Sequence, residues 1–314
     1  MKNIILVFGI CLLAGSALAQ QESQYTLSMF NRLYYNPAYA GVRGMPSVHV
    51  LYRKQWFGYN GAPTSKLISF NAPLSKDRVG FGLTISNHQL GITDRWNAAM
   101  AYSYKIQFNE ETSLRLGVQG SMHYYGIDFT DPSVITTESG DPSILENTDA
   151  DIYKGNFGAG FYLIHKNFYL GGSSPSVLGN ELGFNLDEGI RVAKEAPHFY
   201  LMGGALFPLG GGFQFQPTFM GKYVKNAPPN LEVVASFIYD NRITTGIGYR
   251  TGNAGGGESI DLILLYQAGR LAVGLAYDFT MGELSRHTVG SLEAIVRYDV
   301  FKETINMANP RFFY

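Results

Sequence analysis

From residue 47 onward, apolar side chains recur at every second position, and this period of two most constrains the fold. The clearest run places on one face Leu114, Leu116, Val118, Gly120, Met122 and Tyr124. The alternating positions carry Ser113, Arg115, Gly117, Gln119, Ser121 and His123. Because successive side chains of a strand point to opposite sides of a sheet, the pattern predicts β-strands with one apolar and one polar or small face. The fold class is therefore all-β.

Similar runs predict about fourteen strands, with boundaries uncertain by about two to four residues. These strands are 47–57, 66–74, 79–88, 95–108, 112–126, 154–165, 168–173, 198–208, 212–224, 231–239, 242–250, 259–267, 270–279 and 289–300. Their links alternate between short ones, such as 166–167, and longer ones, such as 127–153 and 174–197. This asymmetry predicts a transmembrane antiparallel β-barrel with short periplasmic turns, longer extracellular loops and both chain ends on the periplasmic side.

A secreted soluble β-protein is the alternative, since its strands would alternate in the same way. Two features favour the barrel. The link lengths alternate, and aromatic residues cluster near strand ends, where a membrane barrel carries its interfacial girdles. Examples are Tyr52, Trp56 and Trp96.

The first residues predict export. Met1-Lys2-Asn3 is a short basic start, residues 4–13 are apolar, and Ala17-Leu18-Ala19 fits a cleavage site, so we expect residues 1–19 to be a signal peptide. Cleavage there removes Cys11, the single cysteine, and leaves a chain that can form no disulfide. No later run reaches the roughly 18 apolar residues of a membrane helix. Together with the barrel pattern, export predicts the cell outer membrane and its lipid as the environment.

Charge argues against nucleic acid and for a filled lumen. The 24 Lys and Arg residues against 25 Asp and Glu residues leave a net charge of −1, so there is no basic excess to bind phosphates. Charges of both signs are predicted to face the lumen and to pair across it, which favours a filled barrel over an open channel. They are Lys105, Arg115, Glu232, Arg242, Asp261, Arg270, Asp278, Glu293, Arg297 and Asp299.

The sequence predicts no enzyme, no cofactor and no metal site. The six histidines lack metal-ligand spacing, and no Ser/His/Asp or paired-carboxylate grouping can be placed in one spot. The glycine-rich stretch 252–257 lacks the Lys-Ser/Thr of a phosphate loop. Residues 127–153 are acidic and contain no Lys or Arg before position 154; calcium binding is possible there, but a solvated loop is the preferred interpretation.

Five ordered motifs carry a family resemblance. They are Tyr25-Thr26-Leu27-Ser28-Met29-Phe30-Asn31, Tyr35-Asn36-Pro37-Ala38-Tyr39-Ala40-Gly41, Tyr52-Arg53-Lys54-Gln55-Trp56-Phe57-Gly58, Gly61-Ala62-Pro63-Thr64-Ser65 and Asn309-Pro310-Arg311-Phe312-Phe313-Tyr314. With them the chain resembles the PorP/SprF family of type IX secretion system membrane proteins. The resemblance implies a non-enzymatic outer-membrane component of secretion and gliding. Its implied partners are a large secreted adhesin or the C-terminal sorting domain of that adhesin, and periplasmic components of the machinery.

We therefore divide the chain into a signal peptide (1–19), an N-terminal plug or periplasmic docking segment (20–46), the barrel (47–300) and a C-terminal aromatic tail (301–314). Residues 36–41 are turn-rich, and Pro37 lacks the backbone donor that a central strand needs. This stretch either packs inside the barrel, lies beneath it as a docking surface, or only caps its entry. The residues predicted to dock a partner are Asn36, Pro37, Tyr39, Gly41, Gln55 and Trp56.

A second function remains open. Abundant Phe, Tyr and Gly also suit a FadL-like outer-membrane transporter of small apolar solutes. The family motifs favour the secretion component, because periodicity and composition do not separate the two.

Overall fold

A computed structural model describes residues 24–75, 77–131, 149–182, 193–251 and 258–300. The predicted signal peptide, the C-terminal tail, the glycine-rich stretch 252–257 and most of the acidic loop lie outside the described residues. The strands are β1 (Ser47–Lys54), β2 (Thr64–Leu74), β3 (Val79–Leu90), β4 (Thr93–Gln107), β5 (Thr112–Asp128), β6 (Asp149–His165), β7 (Phe168–Ser174), β8 (Glu181–Leu182), β9 (Ala193–Lys194), β10 (His198–Ala205), β11 (Phe207–Gly210), β12 (Phe213–Val224), β13 (Asn230–Tyr239), β14 (Ile243–Arg250), β15 (Ser259–Ala268), β16 (Leu271–Thr280) and β17 (Ser291–Asp299).

The strands close into one antiparallel barrel. β1 pairs with both β2 and β17, and β10 joins β7 to β12, so the sheet has no free end. β11 continues β10 after a single residue, Leu206, and pairs with β12 as part of the same wall strand. β8 and β9 pair only with each other, in the link between β7 and β10. The wall therefore has 14 strands, which confirms the predicted fold class.

The links differ in length between the two ends of the barrel. One end, called here the short-turn end, has the links 75–78, 108–111, 166–167, 211–212, 240–242 and 269–270. The other, the long-loop end, has the links 55–63, 91–92, 129–148, 175–197, 225–229, 251–258 and 281–290. The prediction of longer loops is wrong only for 91–92, because β3 and β4 extend further than expected and meet in a two-residue turn. Gly91 provides the positive φ, +54°, that such a turn favours.

The two faces of the wall are as the alternation predicted. On β5, Leu116 is 49% exposed on the outer face, whereas the neighbouring Arg115 is 2% exposed on the inner face. The outer face of the other long strands carries the same belt of exposed Leu, Ile, Val, Phe and Tyr residues. Every wall strand is paired on both sides, so the backbone N–H and C=O groups behind this belt are hydrogen-bonded rather than exposed to lipid. Within the described residues, the structure contains no helix that is long and apolar enough to cross a bilayer.

The lumen is occupied by residues 24–46, called here the lumen segment. It forms three short 3₁₀ turns, Ser28–Phe30, Arg32–Tyr34 and Pro37–Tyr39, and almost all of its side chains are buried against the inner wall. Gln24 donates a hydrogen bond of 3.1 Å to Asn230 at the long-loop end. Arg43 pairs at 3.0 Å with Asp299 at the short-turn end, just before β1 begins.

The lumen segment therefore crosses the whole barrel before the first strand. The first and last wall strands do begin and end at the short-turn end, as the even strand number predicted. Gln24, however, lies at the opposite end, because the lumen segment carries the chain back through the barrel. This position differs from the one expected for the N-terminal side of the chain, while both chain ends themselves lie outside the described residues.

Cysteine labelling tests which end of the barrel faces outward. With the long-loop end outside, Asn60→Cys should react with a membrane-impermeant maleimide on intact cells, because Asn60 is exposed in the 55–63 loop. Glu110→Cys, exposed in a short turn, should react only after the outer membrane is permeabilised. The mature chain is expected to contain no other cysteine, so each label reports one site; the reverse pattern would invert the topology.

Candidate functional site

The start of the lumen segment is held through its backbone. The amide N–H groups of Thr26 and Leu27 donate to the two oxygens of the Glu293 carboxylate, at 2.8 and 2.9 Å. The Thr26 hydroxyl donates to Asp278 at 2.7 Å and accepts from Arg53, also at 2.7 Å. The sheet supplies these groups because β1, β16 and β17 are adjacent and place Arg53, Asp278 and Glu293 on the inner face.

A network of buried charges surrounds this contact. Arg53 lies 2.6 Å from Asp278 and 2.9 Å from Glu293. Arg250 lies 3.2 Å from Glu232, 3.4 Å from Asp261 and 3.7 Å from Asp278, and donates at 3.1 Å to Thr26. We call this group the clamp; its members are Thr26, Arg53, Glu232, Arg250, Asp261, Asp278 and Glu293. Removing one partner of such a buried network typically costs about 3–5 kcal/mol, since it leaves a buried charge unpaired.

A second buried cation fixes the middle of the lumen segment. The Arg32 guanidinium lies 4.4 Å from the ring centroid of Tyr169 and 5.8 Å from that of Tyr39. It also donates a long hydrogen bond of 3.5 Å to the Tyr162 hydroxyl. Aromatic faces attract a desolvated cation, so these rings hold Arg32 by cation–π attraction.

The 36–41 stretch fits closely against the wall. The Asn36 side chain accepts from the Ala38 N–H at 2.9 Å and donates to the Phe161 carbonyl at 2.9 Å, which caps the Pro37–Tyr39 turn. A Cβ on Gly117 of β5 would lie 2.3 Å from the Ala38 nitrogen, so only glycine permits this approach. Gly41 has a φ of +73° and donates its N–H to the Asn71 side chain at 2.6 Å.

The structure separates the six predicted docking residues into two groups. Asn36, Pro37, Tyr39 and Gly41 are buried in the lumen and present no surface to another protein while the lumen segment is in place. Gln55 and Trp56 are half-buried at the long-loop end, where both line an open cavity. The first group is therefore enclosed in the lumen and does not form one surface with Gln55 and Trp56.

This cavity, called here the mouth cavity, has a volume of about 240 Å³ and opens at the long-loop end. Aromatic and polar side chains from the rim and the lumen segment line it. Its floor includes Tyr34 of the lumen segment and the clamp residues Arg53, Arg250 and Asp278. Among the residues that the structure describes, the lumen segment occupies the barrel directly below the mouth cavity and forms part of its floor.

Sequence reasoning missed several of these groups. The predicted lumen residues did not include Arg53, Arg250 or Thr26, although Arg250 shares the inner face of β14 with Gly246 and Gly248. Arg242 and Arg270 were predicted to face the lumen, but both lie exposed in turns of the short-turn end, because β14 starts at Ile243 and β16 at Leu271. Strand boundaries that are one residue off produce this kind of error.

The structure also brings together a Ser, a His and an acid that the sequence had not joined. Ser121 Oγ lies 3.0 Å from His123 Nε2, and His123 Nδ1 lies 2.9 Å from Glu195 Oε1. Ser121 is buried, and a similar Ser–His contact of 3.3 Å joins Ser47 to His49 two residues apart on β1. A Ser and a His two residues apart on one strand face can therefore meet in this way without forming a reactive centre. We therefore assign the contacts a structural role, in which they fasten the link between β9 and β10 to the wall.

Glu195 is well placed for this role. Burial alone would raise its pKa, but the hydrogen bond and charge of His123, with hydrogen bonds from Asn180 and Tyr125, hold the pKa of Glu195 below its usual value. The carboxylate is thus ionised at neutral pH and accepts from Asn156 and Asn180 at 3.2 and 3.0 Å. Among the residues that the structure describes, no three His, Cys, Asp or Glu side chains form a group that could hold a metal ion.

Replacing Arg53 tests how much the clamp contributes to the stability of the folded protein. Arg53→Gln should lower the free energy of unfolding by about 3–5 kcal/mol, because Asp278 and Glu293 lose their buried cation. The measurement is urea unfolding of the purified protein in detergent. Lys54→Gln is the matched control, since Lys54 is the next residue of β1 and is exposed. Equal stability of the two variants would show that the clamp contributes little.

Comparison with protein families supplies the biological context. The family model described as "Type IX secretion system membrane protein PorP/SprF" matches residues 17–298, nearly the whole chain. No curated protein matches this chain significantly.

Several solved structures share the barrel at low sequence identity. A Pseudomonas aeruginosa FadL homologue is 12% identical, with a TM-score of 0.49 over 92% of this chain and 97% of its own. The Ralstonia pickettii toluene transporter TbuX is 9% identical, with a TM-score of 0.51 over 88% and 93%. The Acinetobacter baumannii outer membrane protein Omp33 is 7% identical, with a TM-score of 0.46 over 81% and 97%. At these identities the likeness extends to the fold alone.

Proposed function

Because the chain belongs to the PorP/SprF family of type IX secretion system membrane proteins, we propose that it is an outer-membrane anchor for a large secreted surface protein. In this proposal residues 1–19 direct export and are removed, and the barrel spans the outer membrane. The long-loop end then holds the secreted protein at the cell surface, through its C-terminal sorting domain or a neighbouring segment. The protein acts by binding and carries out no reaction. A contribution to gliding motility would follow if the secreted partner is an adhesin.

The observation that carries this proposal is the filled lumen. The lumen segment runs from Gln24 to the start of β1, is fixed by the clamp at one end and pairs through Arg43 with Asp299 at the other. A lumen segment held in this way braces the wall from inside, which favours a rigid barrel over an open pore. Rigidity suits an anchor, because a preorganised surface binds with less loss of conformational freedom.

The long-loop end offers a surface that a protein partner could cover. Tyr59, Leu90 and Val289 are 57%, 54% and 73% exposed at this end. Tyr59 and Val289 lie in links, and Leu90 is the last residue of β3. These parts contact one another, since the Gly91 N–H donates to the Gly61 carbonyl and the Phe57 N–H donates to the Gly290 carbonyl. These three residues, the rim patch, border Gln55 and Trp56, the two predicted docking residues that a partner can reach. Exposed apolar groups rimmed by polar ones are typical of protein interaction sites.

Contact with periplasmic components belongs to the same proposal and would use the short-turn end. That end carries exposed Arg78, Glu110, Arg242 and Arg270 in its turns. Charged turns of this kind suit a reversible contact whose strength depends on salt.

A FadL-like transporter is the second candidate, and the mouth cavity is the observation that favours it. An apolar solute could enter beside Trp56 and Tyr34. It would then meet the clamp and the lumen segment, so transport requires the segment to leave or rearrange. The anchor requires no such movement, and we favour it for that reason.

Co-purification from outer membranes tests the anchor and locates its surface. The wild-type protein should bring a large secreted protein with it. Tyr59→Ser combined with Leu90→Ser should reduce recovery of that partner, because the rim patch loses its apolar contacts. Phe108→Ser is the matched control, since Phe108 is also exposed, at 60%, but at the short-turn end.

Three results would contradict the proposal. A wild-type barrel recovered without any secreted protein removes the anchor function. Equal recovery with the rim variant and the wild type moves the binding surface elsewhere. Loss of the partner only in Phe108→Ser would place binding at the short-turn end.

A further inference from the structure

The mouth cavity contains an arginine whose charge no acid neutralises among the residues that the structure describes. Arg95 lies on the inner face of β4, opposite His88 on β3 and Tyr125 on β5. It is half-buried and lines the cavity. Its guanidinium lies 5.7 Å from the ring centroid of Tyr125. By contrast, the two arginines of the clamp at the cavity floor have carboxylates within 3.7 Å.

Arg95 is thus arranged as an anion-binding group. The cation–π contact with Tyr125 favours one position of the side chain, so less conformational entropy is lost when a ligand binds. The planar guanidinium presents paired N–H donors that match the two oxygens of a carboxylate. The acid Glu195, which also lines the cavity, interacts with His123, Asn156 and Asn180 and forms no ion pair with Arg95.

A second group beside Arg95 lacks a partner. Asn97 lies two residues further along the same inner face of β4 and also lines the cavity. Its side-chain oxygen Oδ1 is buried and accepts no hydrogen bond from the residues described. A buried acceptor without a donor is unfavourable, and a backbone N–H of a bound peptide is a donor that could satisfy it. Gln55 and Gln89 add further amide groups around the same recess.

We propose that the mouth cavity binds an acidic peptide segment of the secreted partner, with a Glu or Asp carboxylate paired to Arg95 and backbone amides paired to Asn97 and the neighbouring glutamines. This inference rests on the proposed anchor function and specifies its chemistry. A peptide fits better than a small solute for two reasons. Leu90 of the rim patch also lines the recess, a small molecule would leave the rest of that patch uncovered, and the lumen segment lies below the recess.

The two tryptophans make the binding measurable. Trp56 and Trp96 are the only tryptophans of the chain, and both line the mouth cavity. The purified protein in detergent is titrated with the peptide acetyl-Ala-Glu-Ala-Glu-Ala-amide while tryptophan emission is recorded. The same peptide with Gln in place of Glu is the matched probe. We expect a saturable change with the Glu peptide and at least roughly tenfold weaker binding of the Gln peptide, the size of effect of one charge-assisted contact.

Variants of the protein assign the effect to Arg95. Arg95→Gln should bind the two peptides equally, because the cation that distinguishes them is gone. Arg286→Gln is the control, since Arg286 is exposed at the same end of the barrel and does not line the cavity; it should behave as the wild type. Heat-modifiable gel migration shows whether each variant still forms a barrel.

The inference is overturned by any of three results: equal binding of both peptides to the wild type, no binding of either, or an unchanged preference in Arg95→Gln. Glucuronate, a carboxylate without peptide groups, is the third probe, and tighter binding of glucuronate than of the Glu peptide would also overturn it. These failures leave the anchor intact if the wild type still co-purifies with its partner. Loss of co-purification in the wild type would refute the anchor itself.

Discussion

The structure depends on a buried contact between the lumen segment and the inner wall. Glu293 accepts both backbone amides at the start of the segment, and Arg53 and Arg250 neutralise Glu293 and the carboxylates around it. A group of charges in the lumen is costly to bury, so it is tolerated only with good geometry and with its hydrogen bonds made. The polar groups of Thr26 and Leu27 provide part of those bonds. The lumen segment and the clamp therefore stabilise each other, because each would leave buried polar groups of the other unpaired if it were absent.

This interdependence explains the small residues on the inner face. Gly80 and Gly117 lie where the lumen segment passes closest to the wall, and a Cβ on Gly80 would lie 2.0 Å from the Ala40 carbonyl oxygen. The inner face of β3 and β5 is thus shaped for one particular occupant. An open channel would gain nothing from glycine at these positions, whereas a barrel that holds its own N-terminal residues needs it.

The sequence predicted the wall well because a strand has a strict period of two. Leu116 and Arg115 fall on opposite faces as expected, and the number of wall strands follows from the same pattern. The lumen segment has no such period, so its path could not be read from the residues. Its contacts join positions more than 200 residues apart, as between Thr26 and Glu293, and no local pattern encodes them. Glycine on the inner face of β5 was a usable signal, since it indicates close approach of another backbone. The mouth cavity could not be foreseen either, because Arg95 and Asn97 become a site only where the loops and the segment leave space.

The central claim is that the protein works with the lumen segment in place. A disulfide between Leu33→Cys and Gly82→Cys tests it directly, because a Cβ on Gly82 would lie 3.3 Å from Leu33 Cγ, the position that a cysteine sulfur would take. The measurement is the amount of secreted partner held by the oxidised and the reduced double variant, with each single cysteine variant as control. Our account predicts equal retention in both states. Loss of the partner on oxidation, restored by reductant, would show that the segment must move and would contradict the account.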